Sequence, residues 1–422
     1  MSQDVLSYDE AARLVAKHAA RLLGPRRATE QVALGRAAGR VLARAVRADR
    51  DQPPFARSTR DGFACRAAEI SRHQPLAVTG MTRAGDAPSG PLRRNAAWEI
   101  MTGAPVPRGA DAVAMLEHVE YADRRVRLAA PRTIATGENI VRRGAQARRG
   151  EEMLSAGTRV GAAEIALAAA CGWARLEVFR KPRVAIVATG DELVPISRLP
   201  GPGRIRNSNA PMLAAMVAAC GGRPWTLPIV ADTAHALDMA LAKASDADLL
   251  LITGGVSAGK FDLVEPALLR RGARFHFTGV RIQPGKPTVF GELPEGGKSN
   301  GERKRGGARR TKYFLGLPGN PVSSAVTFHL FAAPVLGALA GSRNRGPRFV
   351  LARLAGDVKA KPGLTRFLPA ACTFQEPVPE VAPVPWQGSG DIGAMARGNC
   401  FLVVPEDADG LMAGATVRIL LV

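Results

Sequence analysis

Aromatic residues are scarce: Phe, Trp and Tyr together make up 5% of the chain. Proteins that read single-stranded nucleic acid interleave basic residues with aromatic stacking platforms, so this shortage argues against a specific nucleic-acid partner. Cysteine is also sparse. Cys65, Cys171, Cys220, Cys372 and Cys400 lie far apart, with no CxxC pair. That spacing supports neither a disulfide framework nor a cysteine zinc site, and it suits a reducing cytoplasm. The opening MSQDVLSYDEAARL places an acid where a signal peptide needs a base, and it lacks an apolar core segment. The longest charge-free run, residues 314–341, carries GLPGNP, two serines and His329, a poor composition for a membrane span. A cytoplasmic protein with no membrane partner is the expectation. The six histidines are scattered without metal-ligand spacing, so His118, His235 and His329 read as structural or exposed. Neither HExxH nor GxSxG occurs, which leaves zinc hydrolysis and metal-free acyl transfer without support.

Acidic residues are outnumbered: 58 Lys plus Arg against 37 Asp plus Glu give a net charge of +21. Such a field attracts anions over long range but does not distinguish nucleic acid, lipid and small phosphates. The 422 residues are 46% hydrophobic, enough for two to four domains at about 100–200 residues each.

Ser7 and Glu10 form an S-x-x-E capping box, and Leu14, Val15, His18 and Leu22 follow at helical spacing. A second short helical pattern ends in GRVLA near Ala43. Residues 49–141 are short apolar runs broken by Pro and Gly, which predicts an inserted β-rich domain. The flanking stretches, 1–48 plus 142–180, are read together as a helical linker domain. From Arg183 strands and helices alternate: strands at 184–188, 227–230 and 249–253, helices at 210–219, 234–244 and 264–270. The expected class is α/β, with a central doubly wound, mostly parallel α/β domain at 181–345. Residues 346–422 read as a C-terminal β domain. The stretch 294–312, PEGGKSNGERKRGGARRTK, carries seven Lys/Arg against two Glu, a net +5, and no hydrophobic periodicity; a disordered loop is expected.

Ligands of open parallel sheets bind beyond the carboxyl ends of the strands. The loops predicted there have unusual composition: ATGDEL with Asp191 and Glu192, TGGVSAGKFD with Gly254, Gly255, Ser257 and Asp262, QPGKP with Lys286, and GLPGNPVSS with Gly319, Asn320 and Ser323. Glycines let backbone N–H groups approach an anion, a following helix adds its positive end, and Lys286 adds a mobile charge. Together they suit a phosphate-bearing ligand. Asp191, Glu192, Asp232 and Asp262 could hold Mg²⁺ beside bound phosphate or accept hydrogen bonds from a heterocycle. Residues 254–260 also fit GxxxxGK, but Phe261 replaces the hydroxyl that would bind Mg²⁺, so a P-loop is rejected.

Taken in order, these loops resemble the MoeA family, the molybdopterin molybdenumtransferases, which includes the C-terminal domain of gephyrin. DQPPFARSTRDGFA is similar to the family's PPFxxSxxDGYA, and IMTGAPVPRGADAV is close to verbatim. GENIVRRG, VAIVATGDEL, IRNSN, TGGVSAGKFD, PGKP, GLPGNPVSS and QGSGD follow, so the resemblance runs nearly the whole length. It implies a molybdopterin-binding type of α/β domain. It implies insertion of molybdenum from molybdate into adenylylated molybdopterin, with release of AMP and a divalent cation such as Mg²⁺. It also implies a cytoplasmic homodimer whose active site lies between the α/β domain of one subunit and the inserted β domain of the other. On that reading Asp61 and Thr102 face Glu192, Asp232, Asp262 and Lys286, and Glu192 and Asp262 hold the metal. Gly254, Gly255, Ser257, Gly319, Asn320, Ser323, Ser389 of QGSGD and Arg366 of a GxxRFxR-like pattern bind the pterin nucleotide. Further partners implied are a molybdopterin adenylyltransferase upstream and acceptor molybdoenzymes downstream.

The chain departs from the family pattern at several places. Ala145 and Gln146 replace the usual acidic pair after RRxG, Asn207 stands where Asp is common, Pro369 replaces a second basic residue, and the basic insertion is extra. The competing reading is a non-catalytic paralogue that binds or carries molybdopterin without turnover.

Overall fold

The computed structural model describes residues 5–22, 27–87, 90–255, 263–294, 311–342, 346–374 and 378–422. The capping box forms as its spacing predicts: the Ser7 hydroxyl accepts from Glu10 N–H, and the Glu10 carboxylate accepts from Ser7 N–H at 2.8 Å. The helix Tyr8–Arg21 that follows buries Tyr8, Ala11, Val15, His18 and Ala19.

At the centre is a six-stranded sheet in the order Arg223–Thr226, Arg183–Ala188, Leu249–Thr253, Thr311–Leu317, Val289–Pro294, Arg274–Phe277. Its first four strands are parallel, Val289–Pro294 runs antiparallel to them, and Arg274–Phe277 pairs antiparallel with Val289–Pro294. Every residue of Leu249–Thr253 is buried, the continuous apolar run that a strand covered on both faces requires. One face packs against Tyr8–Arg21, Asn209–Ala219 and the long helix spanning Pro321–Leu339. The other packs against Ala234–Lys243 and Val264–Arg270. The helix Pro321–Leu339 is long and apolar enough to cross a membrane, but 78% of its apolar window is buried inside the protein as core.

Two predicted elements are corrected. The second strand is Arg223–Thr226 rather than 227–230. It is the edge strand, the one place where Pro224 is tolerated in a ladder, and Pro228 interrupts the apolar run that suggested the later position. The pattern ending in GRVLA is not helical beyond the single 3₁₀ turn Leu34–Arg36. Thr29–Ala33 instead pairs antiparallel with Arg175–Phe179 along five residues, and this tertiary pairing overrides local helical spacing. The region built from both flanks of the insertion is thus mixed, with the helix Ala162–Ala170 packed on these short strands.

Residues 62–128 form a second six-stranded sheet, ordered Ala112–Met115, Gly62–Cys65, Ala96–Ile100, Leu76–Thr82, Arg125–Leu128, Val119–Ala122. In the C-terminal part Thr365–Thr373, Glu380–Pro383, Phe349–Leu354, Thr416–Leu421 and Cys400–Val404 pair in sequence, and the last pairs back onto the first. The result is a small barrel with no free edge in the ring. Pro369 sits in its longest strand, opposite Phe401. Most of the basic stretch, residues 295–310, lies outside the described residues; its flanking strands pair up to Pro294 and Thr311.

Candidate active site

Three neighbouring parallel strands of the central sheet end side by side, and their loops are tied by one buried hydroxyl. Thr253 Oγ1 lies 3.2 Å from Pro318 O and 3.3 Å from Ser324 Oγ. Asn209 Nδ2 donates to Thr253 Oγ1 at 2.8 Å and to Gly319 O at 2.7 Å. The GLPGNP loop is thereby locked against the TGG loop. Gly254 has φ +88°, and a Cβ there would lie 2.3 Å from Thr189 O, so only glycine permits this approach. Two buried oxygens in this framework, Thr189 Oγ1 and Asn209 Oδ1, have no hydrogen-bond partner among the described residues. Burial of an unpaired polar atom costs about 1–3 kcal/mol, so each points to water or a bound ligand group as its partner.

Beside this floor stand the carboxylates. Asp191 and Asp232 grip each other's backbones: Asp191 N–H donates to Asp232 Oδ2 at 3.3 Å, and Asp232 N–H donates to Asp191 Oδ1 at 3.1 Å. Arg204 donates to the Asp191 carbonyl. The Glu192 carboxylate lies over Gly190, where a Cβ would come within 2.5 Å of it. Among the described residues none of these three carboxylates forms an ion pair with a basic side chain. Asp262 and Ser257 lie outside the described residues.

Lys286 is exposed on the loop after Gln283, whose backbone is held by Thr288 Oγ1 donating to Gly285 O at 2.6 Å. Arg366 reaches the same loop, with Nε donating to Gln283 Oε1 at 2.9 Å, because Ile282–Gln283 pairs with Thr365–Arg366. Asn320 stands at the N-cap position of the helix beginning at Pro321, and its side chain donates to Ser389 Oγ at 2.7 Å instead of capping, while Val322 N–H donates to Ser389 O. The QGSGD loop is thus docked onto the GNP loop. Asp391 in that loop caps Ile392–Arg397; N–H groups of Ala394 and Gln387 hold its carboxyl below the usual range. Ser323 is buried in the first turn of the Pro321 helix.

Asp61 and Thr102 form a separate cluster on the inserted sheet. Thr102 donates to Asp61 Oδ1 from its backbone N–H at 2.6 Å and its hydroxyl at 3.0 Å. These bonds, the backbone one first, lower the Asp61 pKa and keep the exposed carboxyl ionised. A side chain at Gly62 would meet Ala114 O at 2.0 Å, which explains the Asp-Gly pair. Among the described residues, no hydrogen bond or ion pair joins this cluster to the sheet-edge carboxylates of the same chain.

The departures are accommodated. Asn207 is buried, and its Oδ1 accepts from Ala210 N–H at 3.2 Å, an acceptor role that an aspartate would also fill. Gln146 N–H bonds to Gln52 O, and the carboxylate of that loop is Asp51, held by Arg143 Nε and Arg149 N–H. Thr189, Asn209 and Thr253 were not picked out individually by sequence reasoning. A lone Thr or Asn beside a glycine reads as a turn or cap, and only burial reveals the orphaned oxygens.

Three family descriptions match the chain in order: the MoeA N-terminal region (domains I and II) over residues 6–172, a probable molybdopterin-binding domain over 185–338, and the MoeA C-terminal region (domain IV) over 351–422. The chain is 35% identical over 407 residues to a molybdopterin molybdenumtransferase of Bacillus subtilis, covering 93% of this chain and 90% of that one. A molybdopterin molybdenumtransferase from a Nostoc species is 33% identical, covering 93% and 88%. Among solved structures, a molybdopterin biosynthesis MoeA protein from Pyrococcus horikoshii superposes with a TM-score of 0.81 at 27% identity, covering 99% of this chain and 100% of that one.

Proposed function

This chain belongs to the MoeA family of molybdopterin molybdenumtransferases, and from that premise we propose how its own residues carry the reaction. It is a transferase of molybdenum cofactor biosynthesis that inserts molybdenum into molybdopterin. The substrate we infer is adenylylated molybdopterin, whose phosphoanhydride is cleaved to release AMP as molybdate delivers molybdenum to the dithiolene sulfurs.

The observation that carries this reading is the sheet edge, where a glycine floor with two orphaned oxygens adjoins three carboxylates that, among the described residues, form no ion pair. Gly254, Gly255 and Gly319 let backbone N–H groups approach the phosphates, and the N-terminus at Asn320–Pro321 adds its positive end. Lys286 and Arg366, on one loop and its partner strand, supply charge to the oxyanions. Ser389 and Ser323 line the helix start that would receive the nucleotide. Hard carboxylates fit a divalent cation such as Mg²⁺, with Glu192 and Asp262 as its holders. When bound, that ion supplies neutralisation of phosphate charge. Asp61, its pKa lowered by Thr102, is read as acting from the inserted sheet of a partner subunit, a reading that the family resemblance supports. The reading is of a cytoplasmic homodimer.

The test is direct. Purified protein given adenylylated molybdopterin, Mg²⁺ and molybdate releases AMP in step with molybdenum incorporation. Tight binding of the pterin nucleotide without AMP release would instead establish a carrier.

A further inference from the structure

Away from the sheet edge that binds substrate, the helix Tyr8–Arg21 meets the antiparallel side of the central sheet at a group of polar side chains. His18, buried on the helix face, packs its ring against that of His276, with centroids 3.9 Å apart. His276 lies on Arg274–Phe277 and Glu292 on Val289–Pro294, strands that pair with each other. One ring nitrogen from each histidine and a carboxylate oxygen of Glu292 all lie within 4.8 Å of one another.

We propose that His18, His276 and Glu292 form a binding site for Zn²⁺ or a similar divalent ion that prefers nitrogen donors, pinning the N-terminal helix to the sheet. The donor set is two imidazoles and one carboxylate, the chemistry of known zinc sites that keep a position open for water. The His276 side chain is only 7% exposed, and its buried Nε2 has no well-aligned hydrogen-bond partner among the described residues. That nitrogen stands 3.5 Å from Glu292 Oε2, close to the ligand–ligand separation of about 3.3 Å expected when bonds of about 2.0–2.1 Å meet tetrahedrally. Arg274 approaches the other oxygen, Oε1, at 3.9 Å and leaves Oε2 facing the histidines. Tyr313 Oη lies 3.2 Å from His18 Nδ1 and fixes the ring, the usual way a histidine ligand is oriented. Burial also favours the neutral imidazoles that a metal needs. With side-chain donors alone, the ion would span an N-terminal helix and two strands that are remote in sequence, so its binding energy would add to folding stability.

Chelator-stripped full-length protein is titrated separately with Co²⁺ and Zn²⁺. The expected result is one equivalent of Co²⁺ with the visible absorption of a low-coordinate nitrogen and oxygen site, without the thiolate charge-transfer band that cysteine ligands would give. Zn²⁺ raises the Tm. His276→Gln and Glu292→Gln each weaken binding at least tenfold, whereas Glu192→Ala at the substrate site leaves this equivalent intact. On the unaltered chain, Co²⁺ broadens the ring resonances of two of the six histidines. Co²⁺ absorption that both Gln variants leave unchanged, or ring resonances untouched by the ion, would overturn the proposal, whatever the AMP-release assay shows.

Discussion

Asp61 shows how much a single side chain can be read in advance and where reading stops. The resemblance places it, but in sequence Asp-Gly is an ordinary turn. Its lowered pKa comes from two Thr102 donors that lie 41 positions away. Because Asp61 is exposed, Asp61→Asn is expected to reduce AMP release about 10²-fold, as loss of one preorganised electrostatic group does. Its Tm should stay within a few degrees of the parent, measured by thermal unfolding. Gly254 predicts the opposite division. A Cβ there meets Thr189 O at 2.3 Å with φ at +88°, so Gly254→Ala must shift the TGG loop. A fall in Tm matching several kcal/mol and weak pterin-nucleotide binding are expected together; unaltered stability would show that the loop is not so constrained.

At the scale of elements, the central sheet was readable because its strands are buried on both faces and carry unbroken apolar runs. Leu249–Thr253 and Val264–Arg270 occur where periodicity puts them. The edge strand and Thr29–Ala33 were not readable, since their state is set by partners distant in sequence. The long helix Pro321–Leu339 also holds something composition alone cannot show. It passes through a π turn at Phe328–Ala332 that carries His329. Burial lowers the His329 pKa to about 4, against about 6.5 in an unfolded chain. The unfolded state therefore binds the extra proton between these values, and stability is lost as pH falls from about 6.5 towards 4. Between pH 7.5 and pH 5 this one residue costs about 1–2 kcal/mol. His329→Leu is expected to narrow the gap between the melting temperatures at those two pH values; an unchanged gap would show that other groups govern acid sensitivity.

For the whole molecule, the +21 charge first admitted any polyanion, and the proposed site narrows it to small oxyanions at a glycine-lined sheet edge. Family membership was readable because the motifs are local runs of sequence, whereas the joining of their loops depends on hydrogen bonds such as Asn209 to Gly319 and Asn320 to Ser389. The central claim is that Asp61 and Thr102 on one subunit complete the Glu192–Asp232–Lys286 edge of another. Mixing tests it most directly. Asp61→Ala and Glu192→Ala are each prepared alone, found inactive in AMP release, then unfolded or exchanged together so that subunits reassort. If sites are shared, half of the dimers are mixed and each has one intact site, so activity returns to about a quarter of the parent value. Activity that stays at the level of the separate variants, with subunit exchange verified, would contradict the shared site and place all of these residues in one chain's own pocket.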